Sequence, residues 1–355
     1  MTKWIREDLR NFKPYSVEDV GYAVKMDANE SPFFLPGPVK QNIIQWLQRD
    51  ENLHLYPDTS NTVLREKLAT FWNMEAENIT CGVGSDQIID CIAKAFLEAG
   101  ESILTIEPTF SMYAQSAVIN KGRVISLADT NDIIRVAKEP QNNVKVLFLC
   151  TPNNPTGHNM EPPDIIRLLR VLDLPVVIDE AYAEFSETSM VEYIREYNNL
   201  IVLRTFSKAF GLAGARVGYA LAQRELIEAI DVVRPPYNLS ALSLQLAVAV
   251  LENSMVYRER VQILKKERDR VFEALEGNSL LKVYPSEANF LYIESRQDLG
   301  KLLKEQGIAV RMFPQGEDGV FRIRISIGLP AQNDLVIAGL SKLKGERGYE
   351  ETGGS

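Results

Sequence analysis

The sequence predicts an α/β fold, with a large domain built on a seven-stranded, mostly parallel sheet and a smaller C-terminal α/β domain. Three observations predict it. Seven short apolar runs between residues 79 and 221 read as strands, with helical segments between several of them, the pattern of a sheet covered on both faces. The side chains richest in chemistry stand just past those runs, where open parallel sheets bind ligands. After Pro235-Pro236 the pattern breaks, and a second, shorter alternation of strands and helices begins. The expected divisions are an N-terminal arm over 1–30, a large domain over 31–240, a small domain over 241–345 and a polar tail over 346–355.

Taken in order, the arm carries Phe12, Pro14 and Tyr15 without sustained periodicity and ends in the turn Asn29-Glu30-Ser31-Pro32. Pro38–Leu47 reads as a helix because Val39, Ile43 and Leu47 recur four apart. Leu55-Tyr56-Pro57-Asp58 is a proline-containing loop, and Thr62–Trp72 a second helix with Leu64, Leu68, Phe71 and Trp72 on one face. The strands that follow are Ile79–Cys81, Ser102–Ile106, Arg123–Leu127, Lys145–Cys150, Val176–Ile178, Ile201–Leu203 and Val217–Leu221, with helices notably over Gln87–Leu97 and Asp164–Leu172. Beyond them, Ser240–Leu251 reads as an apolar helix and Met255–Leu275 as a long charged connector. Ala288–Ile293, Ile308–Arg311 and Val320–Ile327 are expected strands, and Asp298–Gln306 and Asn333–Lys344 expected helices.

Composition narrows the function. The 355 residues are 45% hydrophobic and 25% charged, ordinary for a globular chain. A net charge of -9 with no basic run argues against a nucleic-acid partner. Residues 1–12 lack the apolar stretch of a secretory signal, and no apolar run approaches membrane-spanning length, so a cytoplasmic location is expected. Cys81, Cys91 and Cys150 have no framework spacing and read as reduced thiols. His54 and His158 are the only histidines and too far apart for a metal site, so no metal is expected.

The candidate functional residues follow the strands. Gly82-Val83-Gly84-Ser85-Asp86 opens a helix, and free N–H groups there can cradle a phosphate; equally, Ser85 or Asp86 can serve only as an N-cap. Phe110 stands past a strand end, where its ring could stack on a planar group or simply pack. Asn154 sits in the stiff turn Thr151-Pro152-Asn153-Asn154-Pro155-Thr156-Gly157. Asp179 ends a buried strand, which is costly without a cationic partner, and Tyr182 follows three residues later. In Arg204-Thr205-Phe206-Ser207-Lys208, the lysine is flanked by apolar residues that would lower its pKa and make it a Schiff-base nucleophile. Arg216, eight residues on, has with Thr205 and Ser207 the chemistry of a phosphate clamp. Arg322 and Arg324 alternate with isoleucines and share one strand face. One ligand explains these signals jointly: pyridoxal 5'-phosphate has an aldehyde for Lys208, a ring cation for Asp179, a ring oxygen for Tyr182 and Asn154, a face for Phe110 and a phosphate for Gly84, Ser85, Asp86, Ser207 and Arg216.

At this point the chain resembles the fold-type-I PLP-dependent aminotransferases over nearly its whole length, and among them most the histidinol-phosphate aminotransferase family. The resemblance is carried by Asn29-Glu30-Ser31-Pro32, Leu55-Tyr56-Pro57-Asp58, Thr151 to Gly157, Asp179-Glu180-Ala181-Tyr182, Arg204 to Tyr219 and Arg324-Ile325-Ser326-Ile327-Gly328. It implies transamination of L-histidinol phosphate with 2-oxoglutarate, in histidine biosynthesis. It implies that Lys208 holds the cofactor aldehyde and shuttles a proton, that Asp179 keeps the pyridine nitrogen protonated, and that Asn154 and Tyr182 bind the ring oxygen. Tyr56 is implied to reach the cofactor phosphate of a partner subunit in a homodimer. Arg324 matches the arginine for the substrate carboxylate, and Tyr15, Asn29 and Arg311 match substrate-side positions. Phe110 stands where the family usually has tyrosine, Thr59 where proline is usual, and Val83 and Gln87 where Asn and Glu are more frequent. The family's near neighbour, threonine-phosphate decarboxylase, shares most of these motifs, so a decarboxylase of an amino-acid phosphate is the second expectation. An aminotransferase of broader aromatic specificity and a non-enzymatic PLP-binding regulator come after it.

Overall fold

Burial on both faces explains why the central strands are runs of Val, Ile and Leu without alternation. In the computed structural model, which describes residues 4–10, 21–49, 53–341 and 343, the chain forms twelve strands among the described residues. They are β1 (Val24–Met26), β2 (Ile79–Val83), β3 (Ser102–Ile106), β4 (Arg123–Leu127), β5 (Val144–Cys150), β6 (Val176–Asp179), β7 (Leu200–Thr205), β8 (Val217–Ala222), β9 (Lys282–Tyr284), β10 (Phe290–Ser295), β11 (Ile308–Phe313) and β12 (Phe321–Ser326). Seven of them form one sheet in the order β2-β8-β7-β6-β5-β3-β4. Only β8 runs against its neighbours, β2 and β7. Every residue of β6, β7 and β8 is buried, whereas the edge strand β4 is half exposed.

Three helices lie early in the chain: α1 (Gly37–Leu47), α2 (Thr62–Trp72) and α3 (Gly84–Phe96). α3 begins at Gly84 rather than at the expected Gln87, so Gly84, Ser85 and Asp86 are its first turn. A fourth, α4 (Met112–Ile119), has no side-chain cap and almost no polar stripe, which is why no helical period was legible there. Arg224–Val233 is also helical, without a capping side chain to announce it.

The second sheet has five strands in the order β1-β11-β12-β10-β9. Its core includes Phe290, Leu291, Ile323, Ile325 and Leu340, joined by Val261, Leu264 and Val271 of the long helix Ser254–Glu276. β1 lies within the segment expected as an arm, and it pairs parallel with β11. Three residues are too few to show a period, so neither β1 nor β9 could be read beforehand. No helix among the described residues is long and apolar enough to cross a membrane.

Candidate active site

The sheet topology gathers the candidate residues at one edge. β2, β7, β6, β5, β3 and β4 share one direction, so their carboxyl ends lie together. β8 runs the other way, which brings its amino end, and Arg216 just before it, to the same edge.

Asp179 is the last residue of β6 and only 2% exposed. Its Oδ1 accepts the Ala181 backbone N–H at 3.1 Å and its Oδ2 accepts the Tyr113 hydroxyl at 2.6 Å. Burial nonetheless pushes its pKa up to about 6, because the two hydrogen bonds and the charge of Lys208 only partly offset the loss of water. Lys208 follows β7, and its Nζ donates to the Ala28 carbonyl at 2.8 Å. Its ammonium lies 5.7 Å from the centroid of the Tyr182 ring. Desolvation first, and the nearby Arg324 charge second, lower its pKa to about 8.

Tyr182 and Asn29 form a second knot. Asn29 is fully buried, with φ 54° in the left-handed region that asparagine tolerates. Its Nδ2 donates to the Tyr182 hydroxyl at 3.0 Å, and its Oδ1 accepts from Ser326 Oγ at 3.1 Å. The Tyr182 oxygen therefore accepts from within the protein and keeps its own proton to donate. Arg324, on β12, donates to Asn154 Oδ1 and to the Asp27 carbonyl, the latter at 2.6 Å. Arg311 lies directly opposite Arg324 across β11 and β12.

The start of α3 and Arg216 are brought together by close approach. Gly84 has φ +70°, and a Cβ there would stand 2.5 Å from Arg216 Nη2. A Cβ on Gly218 would stand 2.3 Å from the Ser85 backbone nitrogen, so only glycine lets β8 abut the start of α3. Ser85 and Asp86, in the first turn of α3, have no intrahelical acceptor for their N–H groups. Arg216 is itself left-handed at φ 54°, a costly backbone for arginine. Its guanidinium is held by Asp86 at 2.8 Å and by Ser207 Oγ at 3.3 Å. The Ser207 backbone N–H is in turn fixed by Thr205 Oγ1 at 3.1 Å.

The residues present fit pyridoxal 5'-phosphate. The helix start with Ser207 and Arg216 suits its phosphate, the buried carboxylate suits a protonated ring nitrogen, and the lysine with lowered pKa suits its aldehyde. Among the described residues, no group of three or more His, Cys, Asp or Glu could hold a metal ion.

Phe110 is half-buried and meets Tyr113 edge-on, the ring centroids 5.7 Å apart. Tyr56 does not join this cluster: it is 81% exposed and stacks on Tyr237 at 4.6 Å. Tyr15 lies outside the described residues, as does the tail over 346–355. Two features were not anticipated. One is Tyr113, which no motif or period in the sequence singled out. The other is the buried pair of Glu180 and Arg204, 2.9 Å apart, which braces the turn after Asp179. Glu180 stood in the sequence motif, but nothing in the sequence paired it with Arg204.

The chain and its fold are similar to those of known proteins. The chain is 42% identical over 345 residues to a histidinol-phosphate aminotransferase of Ruminiclostridium cellulolyticum, covering 94% of this chain and 96% of that one. The structure is similar to that of histidinol-phosphate aminotransferase from Sinorhizobium meliloti in complex with pyridoxal-5'-phosphate, with a TM-score of 0.85, 25% identity and 96% and 97% of the two chains covered. It shares its fold with L-threonine-O-3-phosphate decarboxylase from Porphyromonas gingivalis, with a TM-score of 0.78, 23% identity and 90% and 98% coverage. The pattern of aminotransferase class I and II matches residues 23–340. With Lys208, Asp179 and Arg216 gathered at one sheet edge inside that match, the chain belongs to the class I and II aminotransferase family.

Proposed function

We propose that the chain is a pyridoxal 5'-phosphate-dependent aminotransferase that moves the amino group of L-histidinol phosphate to 2-oxoglutarate, giving imidazole acetol phosphate and L-glutamate. The observation that carries this reading is the convergence of Lys208, Asp179, Tyr182 and Arg324, with Arg324 close enough to depress the lysine. Relatives named for this activity over nearly the full chain support the substrate. Small-molecule substrates and the reduced thiols of Cys81, Cys91 and Cys150 suit a cytoplasmic enzyme.

When bound, pyridoxal 5'-phosphate supplies an aldehyde and an electron-withdrawing ring. The chain's own residues do the rest. Gly84, Ser85, Asp86, Ser207 and Arg216, with Thr205 behind them, would hold the phosphate. Asp179 would hold a proton on the ring nitrogen. Tyr182, through its O–H, and Asn154, through the Nδ2 that Arg324 leaves unused, would donate to the ring oxygen. Phe110 would lie against the ring. Lys208, its Nζ made less basic by burial and by the Arg324 charge, would take the proton from Cα of the amino donor.

Histidinol phosphate carries a phosphate and no carboxylate, whereas glutamate carries two carboxylates and no phosphate. One site must bind both in turn. An arginine fork pairs with either anion, and Arg324 with Arg311 opposite it offers two positive charges to a dianion. Tyr15 and Asn29 complete the substrate side in this reading, Asn29 by positioning Tyr182. The test is a stopped-flow half-reaction with histidinol phosphate and with histidinol. The phosphorylated donor should be better by about 1.5–3 kcal/mol, the worth of a charged hydrogen bond. Equal efficiency would overturn the substrate assignment. Release of carbon dioxide from threonine phosphate without a keto acid would favour the decarboxylase, whose fold this chain shares.

The active unit in this proposal is a homodimer. Phe34, Leu53, Leu55, Tyr56 and Val63 are large and exposed, an apolar surface that a second copy would cover. Tyr56 would then reach the cofactor phosphate of the partner subunit. Mixing inactive Tyr56→Ala and Lys208→Ala subunits should restore activity, because one site of each heterodimer would be intact. No restoration would show that Tyr56 acts within its own chain.

A further inference from the structure

Tyr113 is used by none of the roles above, yet it is among the most constrained side chains in the molecule. It is 1% exposed and stands in the first turn of α4, three residues after Phe110. Its ring stacks on Phe148 of β5 at 5.0 Å with the planes 13° apart, and Phe110 meets it edge-on at 5.7 Å. Burial and these two aromatic contacts, one stacked and one edge-on, hold the ring in place and with it the position of the hydroxyl oxygen. That hydroxyl donates to Asp179 Oδ2 at 2.6 Å, in the range of a charge-assisted bond. The other carboxylate oxygen is pinned by the Ala181 N–H.

We propose that Tyr113 is a positioning residue for transamination: its hydroxyl holds Asp179 as an oriented anion, so that the proton shared with the cofactor's ring nitrogen stays on nitrogen. The inference rests on the reading of Asp179 as the partner of that nitrogen. The balance is one proton with two places to sit. In the first arrangement the carboxylate is charged and the ring N–H is positive; in the second the carboxyl carries the proton and the ring is neutral. A donor to the carboxylate stabilises its charged form and therefore the first arrangement. Removing the donor makes Asp179 more basic and draws the proton away from the ring. The other titratable groups facing Asp179 are Cys150 on β5, Tyr182 three residues after it, Asp86 on α3 and Lys208 beyond β7. Asp86 favours the protonated carboxyl and Lys208 the charged one, while the Cys150 thiol, its pKa raised by burial, remains neutral. The Tyr182 hydroxyl is given to the ring oxygen in the reading above, and none of the other three can replace an oriented O–H donor.

The experiment uses the full-length holoenzyme loaded with cofactor labelled with nitrogen-15 in the ring. The ring-nitrogen chemical shift is followed against pH in the wild type, Tyr113→Phe and Asp179→Asn, with donor kinetics for each. In the wild type the shift should be that of a protonated pyridine. In Tyr113→Phe it should move toward the unprotonated value, while the cofactor stays bound. The kcat should fall about tenfold to a hundredfold with donor KM within about twofold. A variant that had merely lost packing would lose cofactor or raise KM and leave the nitrogen protonated. Site-specific 3-fluorotyrosine at position 113 keeps the packing and donates more strongly. At a given pH its ring-nitrogen shift should lie further toward the protonated value than that of the wild type, opposite to Tyr113→Phe, and it decides the matter if Tyr113→Phe does not fold. An unchanged nitrogen titration in both Tyr113 variants, with Asp179→Asn deprotonated, overturns the role of Tyr113 alone. A nitrogen still protonated in Asp179→Asn overturns the reading of Asp179, and this inference with it.

Discussion

Lys208→Ala is expected to lose covalent attachment of the cofactor and to reduce transamination by at least about 10³-fold, since one side chain supplies both the nucleophile and the base. The physical ground is its setting. Desolvation and the charge of Arg324 bring its pKa down to about 8, so near pH 8 a large fraction of the side chain is neutral and able to attack a carbonyl or take a proton. An ordinary surface lysine would be almost wholly charged there. The variant should still fold, because the hydrogen bond from Nζ to the Ala28 carbonyl is the one hydrogen bond of the side chain among the described residues. Steady-state turnover and gel filtration check this. Turnover within tenfold of the wild type would contradict the assignment.

Asp179→Asn is expected to lower turnover by about 10²–10³-fold, the usual scale for removing one preorganised electrostatic group from a site. An amide cannot sustain a ring proton. The same substitution has an opposite effect on stability, which separates it from ordinary damage. Folding raises the Asp179 pKa from 3.8 to about 6, so between those values the folded state binds more protons than the unfolded one. Stability of the cofactor-free protein therefore falls as pH rises through that window, and the cost is fully present above pH 6. Asp179→Asn removes the cost. Its cofactor-free form should melt above the wild type at pH 7.5, and the difference should fade as pH falls from about 6 to about 4. Thermal melts at several pH values check both parts. A melting point below that of the wild type at pH 7.5 would show that the carboxylate is satisfied without a ligand.

Most of the large sheet was legible because its strands are buried on both faces. Val176–Ile178 and Ile201–Leu203 read as continuous apolar runs, and the structure extends each by only one or two residues at an end. The placement of the candidate site was legible for a related reason. Asp179, Lys208 and Gly84 follow such runs directly, so topology alone carries them to one edge. What was not legible depends on contacts distant in sequence. The bond from Tyr113 to Asp179 spans 66 residues, and that from Ser326 to Asn29 spans 297. No local pattern encodes either. β1 was hidden differently: its three residues gain a partner only when β11, far along the chain, comes beside them. The motif around Asn29 thus drew attention as a turn, while its structural work is to tie Tyr182 to β12.

The assignment of Lys208 as the residue that holds pyridoxal 5'-phosphate underlies every role proposed above. Its most direct test is borohydride reduction of the yellow holoenzyme followed by peptide mapping. Reduction should bleach the visible absorbance and leave the cofactor fixed to the peptide that contains Ser207-Lys208-Ala209. Label on any other lysine, or absorbance that reduction leaves unchanged, would contradict it.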